Sequence, residues 1–141
     1  MSKRGRRVAF DYGDVRIGVA ICDPDGILAT PLTVLQSQSR DLIKEITSII
    51  AEYEPIRIYV GLPKNMSGTE GASASKAHAF GTSLLENFDV PVFYIDERLS
   101  TVSAQRKLKD AGVDSRSAKT QIDAMAAVAI LEQGLASESV E

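Results

Sequence analysis

The acids that matter most in this chain sit in apolar company. Asp11 follows Val8-Ala9-Phe10 in a run of strand-forming residues. Asp96 and Glu97 close the apolar run Val90–Ile95, and Asp123 is the sole charge in Ile122–Leu131. A carboxylate in such surroundings costs several kcal/mol unless it is paired, protonated or bound to a cation. Arg16 and Arg98 are the cations in sequence reach, too few for all of these acids. Taken singly, each acid has a structural reading as the end of an element, and an acid in a helix's first turn also favours the dipole. Taken together, they are oxygen donors from a first strand, a later strand and a final helix, which can converge at one end of a small α/β sheet. Such a site suits Mg²⁺ or Mn²⁺. Two such ions about 4 Å apart activate a water and stabilise the leaving oxygen in phosphodiester cleavage. Asp96 and Glu97 are adjacent and so face opposite sides of a strand, which leaves open which of them points at the site.

Phosphate chemistry also needs donors. Arg16, Arg98 and Lys119 are the basic residues placed to steady a phosphate backbone. Gly61-Leu62-Pro63 ends a strand and opens into Lys64-Asn65-Met66-Ser67-Gly68-Thr69. Glycine lets a backbone approach phosphate closely, and Asn65 could contribute a contact. The spacing matches neither a P-loop nor a dinucleotide fingerprint, so an ordinary flexible loop is the alternative. Ser100 and Thr101 are either phosphate contacts or helix caps. The net charge of −3, with the basic residues gathered in Lys3–Arg7 and in Arg98–Lys119, argues against broad nucleic-acid affinity without excluding a local site. Aromatic residues are 6% with no tryptophan, so stacking on unpaired bases has little support. The single cysteine, Cys22, excludes an internal disulfide and reads as a small strand hydrophobe. The single histidine, His78, excludes a His-rich metal cluster and reads as solvent-facing.

The elements that must position these residues follow from periodicity. Arg7–Tyr12 and Arg16–Cys22 form a hairpin, and Asp23-Pro24-Asp25-Gly26 is a turn into a third strand over Ile27–Leu35, with Pro31 marking an edge or bulge. An apolar stripe from Leu42 to Tyr53 predicts a helix that stops at Pro55. Ile56–Val60 is a buried strand closed by Gly61, and Pro63–Lys76 reads as a long mobile loop. A helix through Ala77–Phe88, a strand over Val90–Ile95, a helix from Ser100 or Thr101 to Ala111, and a last helix from Ser115 or Ser117 to about Gln133 complete the chain. The tail from Ser137 reads as frayed. The order βββαβαβαα implies one α/β domain over 1–141, with a mixed five-stranded sheet (a three-stranded antiparallel meander plus two parallel strands) flanked by helices.

Four segments lie in the order found in one family: Asp11–Asp23, Val60–Gly71, Asp96–Ala104 and Ile122–Leu131. The chain resembles the YqgF-type nucleases, whose assigned roles are Holliday junction resolution and processing of pre-16S ribosomal RNA. The resemblance implies a ribonuclease H-like fold, a cytoplasmic bacterial protein and maturation of the 5′ end of 16S ribosomal RNA in ribosome biogenesis. It also implies metal-dependent chemistry carried by Asp11, Glu97 and Asp123, and so ranks Glu97 above Asp96. Two departures stand out. Val15 occupies a position where the family usually has lysine, and Ser100-Thr101 replaces two threonines.

The partner expected is structured RNA, or branched DNA if the chain is a junction resolvase. The protein would be a monomer or a homodimer, and a resolvase on a two-fold junction would be dimeric. Two readings from other classes compete. Asp11–Ala20 also looks like the first phosphate loop of actin and Hsp70-type ATPases, but 141 residues leave room for only one of the two domains those proteins close around ATP. A non-catalytic RNA-binding assembly factor would keep the fold without turnover. No run of about 20 apolar residues is present to span a membrane.

Overall fold

A computed structural model describes residues 4–63, 71–99 and 116–141. Strands β1 (Arg7–Tyr12) and β2 (Arg16–Cys22) form the antiparallel hairpin, with Asp11 directly opposite Gly18. The Gly13 N–H closes the turn on the Arg16 carbonyl at 2.9 Å. Strand β3 (Ala29–Gln36) pairs antiparallel with β2, and its register shifts between Val19 and Ala20, opposite Pro31–Thr33. Proline removes a ladder donor there, and the edge position and irregularity accommodate it. The strand begins later than Ile27 because the N–H groups of Ile27 and Leu28 both donate to the Asp23 carboxylate at 2.8 Å. Strand β4 (Arg57–Leu62) runs parallel to β1, and β5 (Val92–Asp96) runs parallel to β4, giving the order β3-β2-β1-β4-β5. The mixed five-stranded sheet is thus the one expected, with β4 reaching through Gly61 and Leu62.

Helix α1 (Leu42–Tyr53) stops at Glu54, which adopts a left-handed conformation ahead of Pro55. Helix α2 spans Ala72–Asn87, so the segment from Ala72 to Lys76 is helical rather than loop. Its small residues hid this start, yet Ala74 and Ala77 are buried against the sheet. A 3₁₀ turn covers Glu97–Leu99, and helix α3 runs from Arg116 to Glu138. The helix expected from Ser100 or Thr101 to Ala111 lies outside the described residues, as do Asn65, Ser100 and Thr101. No described helix is long and apolar enough to cross a membrane.

Strand alternation sorts the sheet into two faces. Val8, Phe10, Ile17, Val19, Ile58 and Val60 pack against α1 and α2. Ala9, Ala20, Cys22, Tyr59 and Ile95 pack against α3. One expectation changes on this frame, while Cys22 is the buried strand residue expected. His78 is half-buried, its ring 4.5 Å from that of Tyr94, rather than solvent-facing. Cys22 is buried, and its sulfur accepts the Arg7 N–H at 3.2 Å.

The larger correction concerns the two chain ends. Arg7 belongs in sequence to a basic cluster, yet it is 1% exposed. Its Nη2 donates to Glu138 Oε1 at 2.7 Å and its Nε to Oε2 at 3.2 Å, while the Tyr59 hydroxyl donates to the same carboxylate. The helix therefore continues past Gln133, and the tail at Ser137–Glu138 is ordered by this network. Burial pushes the Glu138 carboxyl pKa up, but the bonds from Arg7 and Tyr59 outweigh it and leave the pKa lowered. Lowered in the folded state, it contributes stability that is fully present above the ordinary carboxylate range and is lost as pH falls through the folded value. Glu138→Gln is expected to cost about 3 kcal/mol at neutral pH, the scale for breaking a buried pair. It should also flatten the acid limb of stability. Urea unfolding between pH 3 and 7 checks both.

Candidate functional site

Asp11, Ala9's neighbour by alternation, points to the α3 face near the carboxyl end of β1 and is 6% exposed. On one side it pairs with Gly18 of β2. On the other, continuation of the Phe10–Val60 register brings Gly61 of β4 alongside. The acid is thus flanked by two residues without side chains. A Cβ at Gly18 would overlap the carbonyl oxygen of Asp123 and lie 2.6 Å from its carbon. A Cβ at Gly61 would overlap Ile130 and lie 3.0 Å from Glu97 Oε1. These two contacts draw Asp123 of α3 and Glu97 of the 3₁₀ turn onto the face that carries Asp11.

Asp96 goes elsewhere. Strand alternation sets it opposite to Ile95, and its carboxylate is taken by Arg98, with Nη2 at 2.7 Å and the Arg98 backbone N–H at 2.9 Å. Glu97, 6% exposed, is the acid that shares the α3 face. The choice depends on the 3₁₀ turn that follows β5, which strand periodicity cannot report. Asp123 lies about two turns into α3 rather than in its first turn, so a favourable dipole position does not explain it. Its Oδ2 accepts Arg16 Nε at 2.7 Å, with side chains 27% and 13% exposed for arginine and aspartate. Arg16 and Arg98, two of the three cations expected to meet phosphate, are each held by a carboxylate. Lys119 lies in α3, but its side chain is outside the described residues.

The donor set is all hard oxygen, and Gly18 and Gly61 let the α3 backbone and the Glu97 side chain approach the strands closely. In chemistry and cradle it fits a hard divalent cation. Among the described residues, however, no three such side chains stand together ready to hold one ion. The arrangement offers buried carboxylates on one face, with Asp123 engaged by Arg16.

Comparison with known proteins places this geometry. The sequence profile of the RuvX family, described as Holliday junction resolvase, matches residues 5–137. The chain belongs to the RuvX family. A relative from Streptomyces coelicolor, assigned as a pre-16S rRNA nuclease, is 46% identical over 140 residues, covering 98% of this chain and 84% of the relative. A Rhodococcus opacus relative with the same assignment is 48% identical over 135 residues, covering 92% and 76%. Among solved structures, Thermus thermophilus RuvC in complex with a Holliday junction substrate aligns with a TM-score of 0.57 at 14% identity, covering 96% of both chains. RuvC from the same organism in a second structure gives 0.53 at 12% identity. These two likenesses show the ribonuclease H-like fold of the RuvX-family chain.

In the fold, Gly61 makes room for Glu97 and Ile130. Gly18 escaped notice, although a glycine inside a strand is itself a sign of close approach by another segment. Because rigid helix backbone, not a flexible side chain, opposes a Cβ at 18, Gly18→Ala is expected to destabilise the fold by about 1–3 kcal/mol. Chemical denaturation reads this, and a variant within about 0.5 kcal/mol of wild type would refute the close approach.

Proposed function

We propose that this RuvX-family chain is a metal-dependent nuclease that hydrolyses phosphodiester bonds in structured RNA in the cytoplasm, with 5′-end maturation of pre-16S ribosomal RNA as its reaction. The observation that carries the reading is the shared placement of Asp11 and Glu97, both buried, on the α3 face at the carboxyl end of the parallel strands. The family match and the relatives assigned as pre-16S rRNA nucleases support the substrate.

Asp11, Glu97 and Asp123 would hold Mg²⁺ or Mn²⁺. Bound there, such ions supply an activated water and charge stabilisation at the leaving oxygen. The chain's own part is to hold and orient. Gly18 and Gly61 admit the α3 backbone, Ile130 and Glu97 into the space beside Asp11. Arg16 and Arg98 would orient the substrate by exchanging Asp123 and Asp96 for phosphate oxygens, the same kind of partner in charge and geometry. Lys119, Asn65, Ser100 and Thr101 would add backbone-positioning contacts.

A second reading, cleavage of four-way DNA junctions, is favoured by the family description and by the fold shared with RuvC. The chemistry is the same, so substrate comparison decides. The expected result is Mg²⁺- or Mn²⁺-dependent cleavage of precursor ribosomal RNA in preference to a four-way junction. Asp11→Asn should lose more than about a hundredfold, since even partners one shell removed from a metal cost about 10–100-fold. RNA binding with no turnover in any divalent ion would sink the catalytic reading, and full activity in Asp11→Asn would sink the site. Arg16→Ala is expected to separate two effects in calorimetry: tighter Mn²⁺ binding, because one positive charge leaves the neighbourhood of the carboxylates, and weaker RNA binding. Loosened Mn²⁺ binding would show that Arg16 supports the site rather than competing for it.

A further inference from the structure

The opposite face of the same sheet end carries a cleft. It encloses about 160 Å³ and is lined by Tyr12, Gly13, Asp14, Pro63, Ser73 and Lys76. Gly13 and Asp14 leave β1, and Pro63 leaves β4, so the cleft opens just beyond the carboxyl ends of two parallel neighbours. From β1 the sheet grows in both directions, to β2 on one side and β4 on the other. In open α/β sheets the crevice at such a parting, outside the carboxyl ends, is where ligands bind. Tyr12 alternates with Asp11 and packs on Phe80 of α2, its ring 4.9 Å away. The cleft and the carboxylates therefore stand back to back across the end of β1.

The cleft's chemistry is specific. Lys76 Nζ reaches across to Asp14 Oδ1 at 2.8 Å. The two side chains are 55% and 70% exposed, so the pair adds little to stability and is readily exchanged. Ser73 sets a hydroxyl on the same wall, in the first turn of α2. A cation, a hydroxyl and polar backbone around a small open volume suit a phosphate group. They do not suit a base, for which the cleft has only the Tyr12 ring, already packed on Phe80. We propose that this cleft is a second phosphate subsite, seating a backbone phosphate of the strand whose scissile bond lies at the carboxylates. Lys76 is its cation, and Asp14 holds that cation in the free protein. This subsite rests on the nuclease reading and extends it, because a strand gripped on both faces of the sheet end must bend over that end.

The test uses the full chain and a fluorescein-labelled RNA stem with a single-stranded 5′ extension, in EDTA so that binding is read without cleavage. Anisotropy titrations over a range of salt compare wild type, Lys76→Ala, Asp14→Asn and, as a control for charge alone, Lys44→Ala on α1. Loss of one single-strand phosphate contact lowers the slope of log K against log salt by about 0.7, equivalent to about fivefold between 1 M and 0.1 M salt. Lys76→Ala should show that loss and Lys44→Ala should not. Asp14→Asn should tighten binding, because it removes the anion that competes for Lys76. If wild type binds and all three variants match it, or if Lys76→Ala and Lys44→Ala fall equally, the subsite is overturned while the nuclease reading stands. If wild type itself does not bind the RNA, the subsite is overturned, and the nuclease reading is decided by the cleavage assay in Mg²⁺ or Mn²⁺.

Discussion

The seam of small residues between α3 and the sheet sets every distance in the candidate site. Ala9, Gly18, Ala20 and Gly61 on the strands face Ala124, Ala126, Ala127 and Gly134 on the helix side. At Gly18 the helix backbone itself occupies the space a side chain would need, and at Gly134 a Cβ would lie 2.8 Å from the Tyr59 ring. Helix and sheet meet almost backbone to backbone, and packing at that distance does not deform continuously. Asp123 sits where it does because its own carbonyl rests over Gly18. Glu97 sits where it does because Gly61 leaves a hollow beneath it. The acids are positioned by the absence of neighbours as much as by their own elements.

Two arginines of one hairpin hold this helix at two points, one at its last residue and one about two turns from its start. Arg7 opens β1 and takes Glu138; Arg16 opens β2 and takes Asp123. The helix acids lie about 22 Å apart along α3, close to the length of the hairpin between the arginines. The pairs differ in what surrounds them. The Arg7–Glu138 side chains are 2% and 1% exposed and are joined by Tyr59, whereas the Arg16–Asp123 pair is open on one side. A sealed pair of this kind is not a cheap source of stability, because desolvation offsets most of its attraction. Its effect is positional: it ties the end of α3 to the start of β1.

Much of this was readable in the residue order. Alternation in Arg7–Tyr12 and Arg16–Cys22 marks the hairpin, the Leu42–Tyr53 stripe marks α1, and Asp11 stands out because an acid in an apolar strand needs a reason. The acidic candidates and their segments also matched a family whose order spans the chain. What stayed hidden depended on contacts distant in sequence. Arg7 looks like one surface cation among several until Glu138, 131 residues on, is brought to it. Ala72–Lys76 lacks the large apolar residues that signal a helix, because its one buried position is Ala74, an alanine against the sheet. Asp96 and Glu97 cannot be ranked by strand period, since the turn after β5 redirects the chain between them. Asp14 and Lys76 each read as ordinary surface charge until the fold closes a gap of 62 residues.

The same placements resolve the apparent conflict between a net charge of −3 and a nucleic-acid partner. At the carboxyl end of the sheet, Arg16, Arg98 and Lys76 each hold a carboxylate: Asp123, Asp96 and Asp14. Among the described residues, these three cations are each matched by a carboxylate, so they contribute little of the counterion-release attraction that draws basic proteins to any polyanion. On the nuclease reading, binding becomes an exchange in which phosphates replace carboxylates on cations already in place. The exchange at Arg16 has a further consequence that the other two lack. Asp96 and Asp14 lie off the α3 face, whereas Asp123 belongs to the helix that packs over Asp11's strand neighbours Gly18 and Gly61. On that reading, a phosphate drawing Arg16 away from Asp123 would couple the proposed metal site to the arrival of substrate.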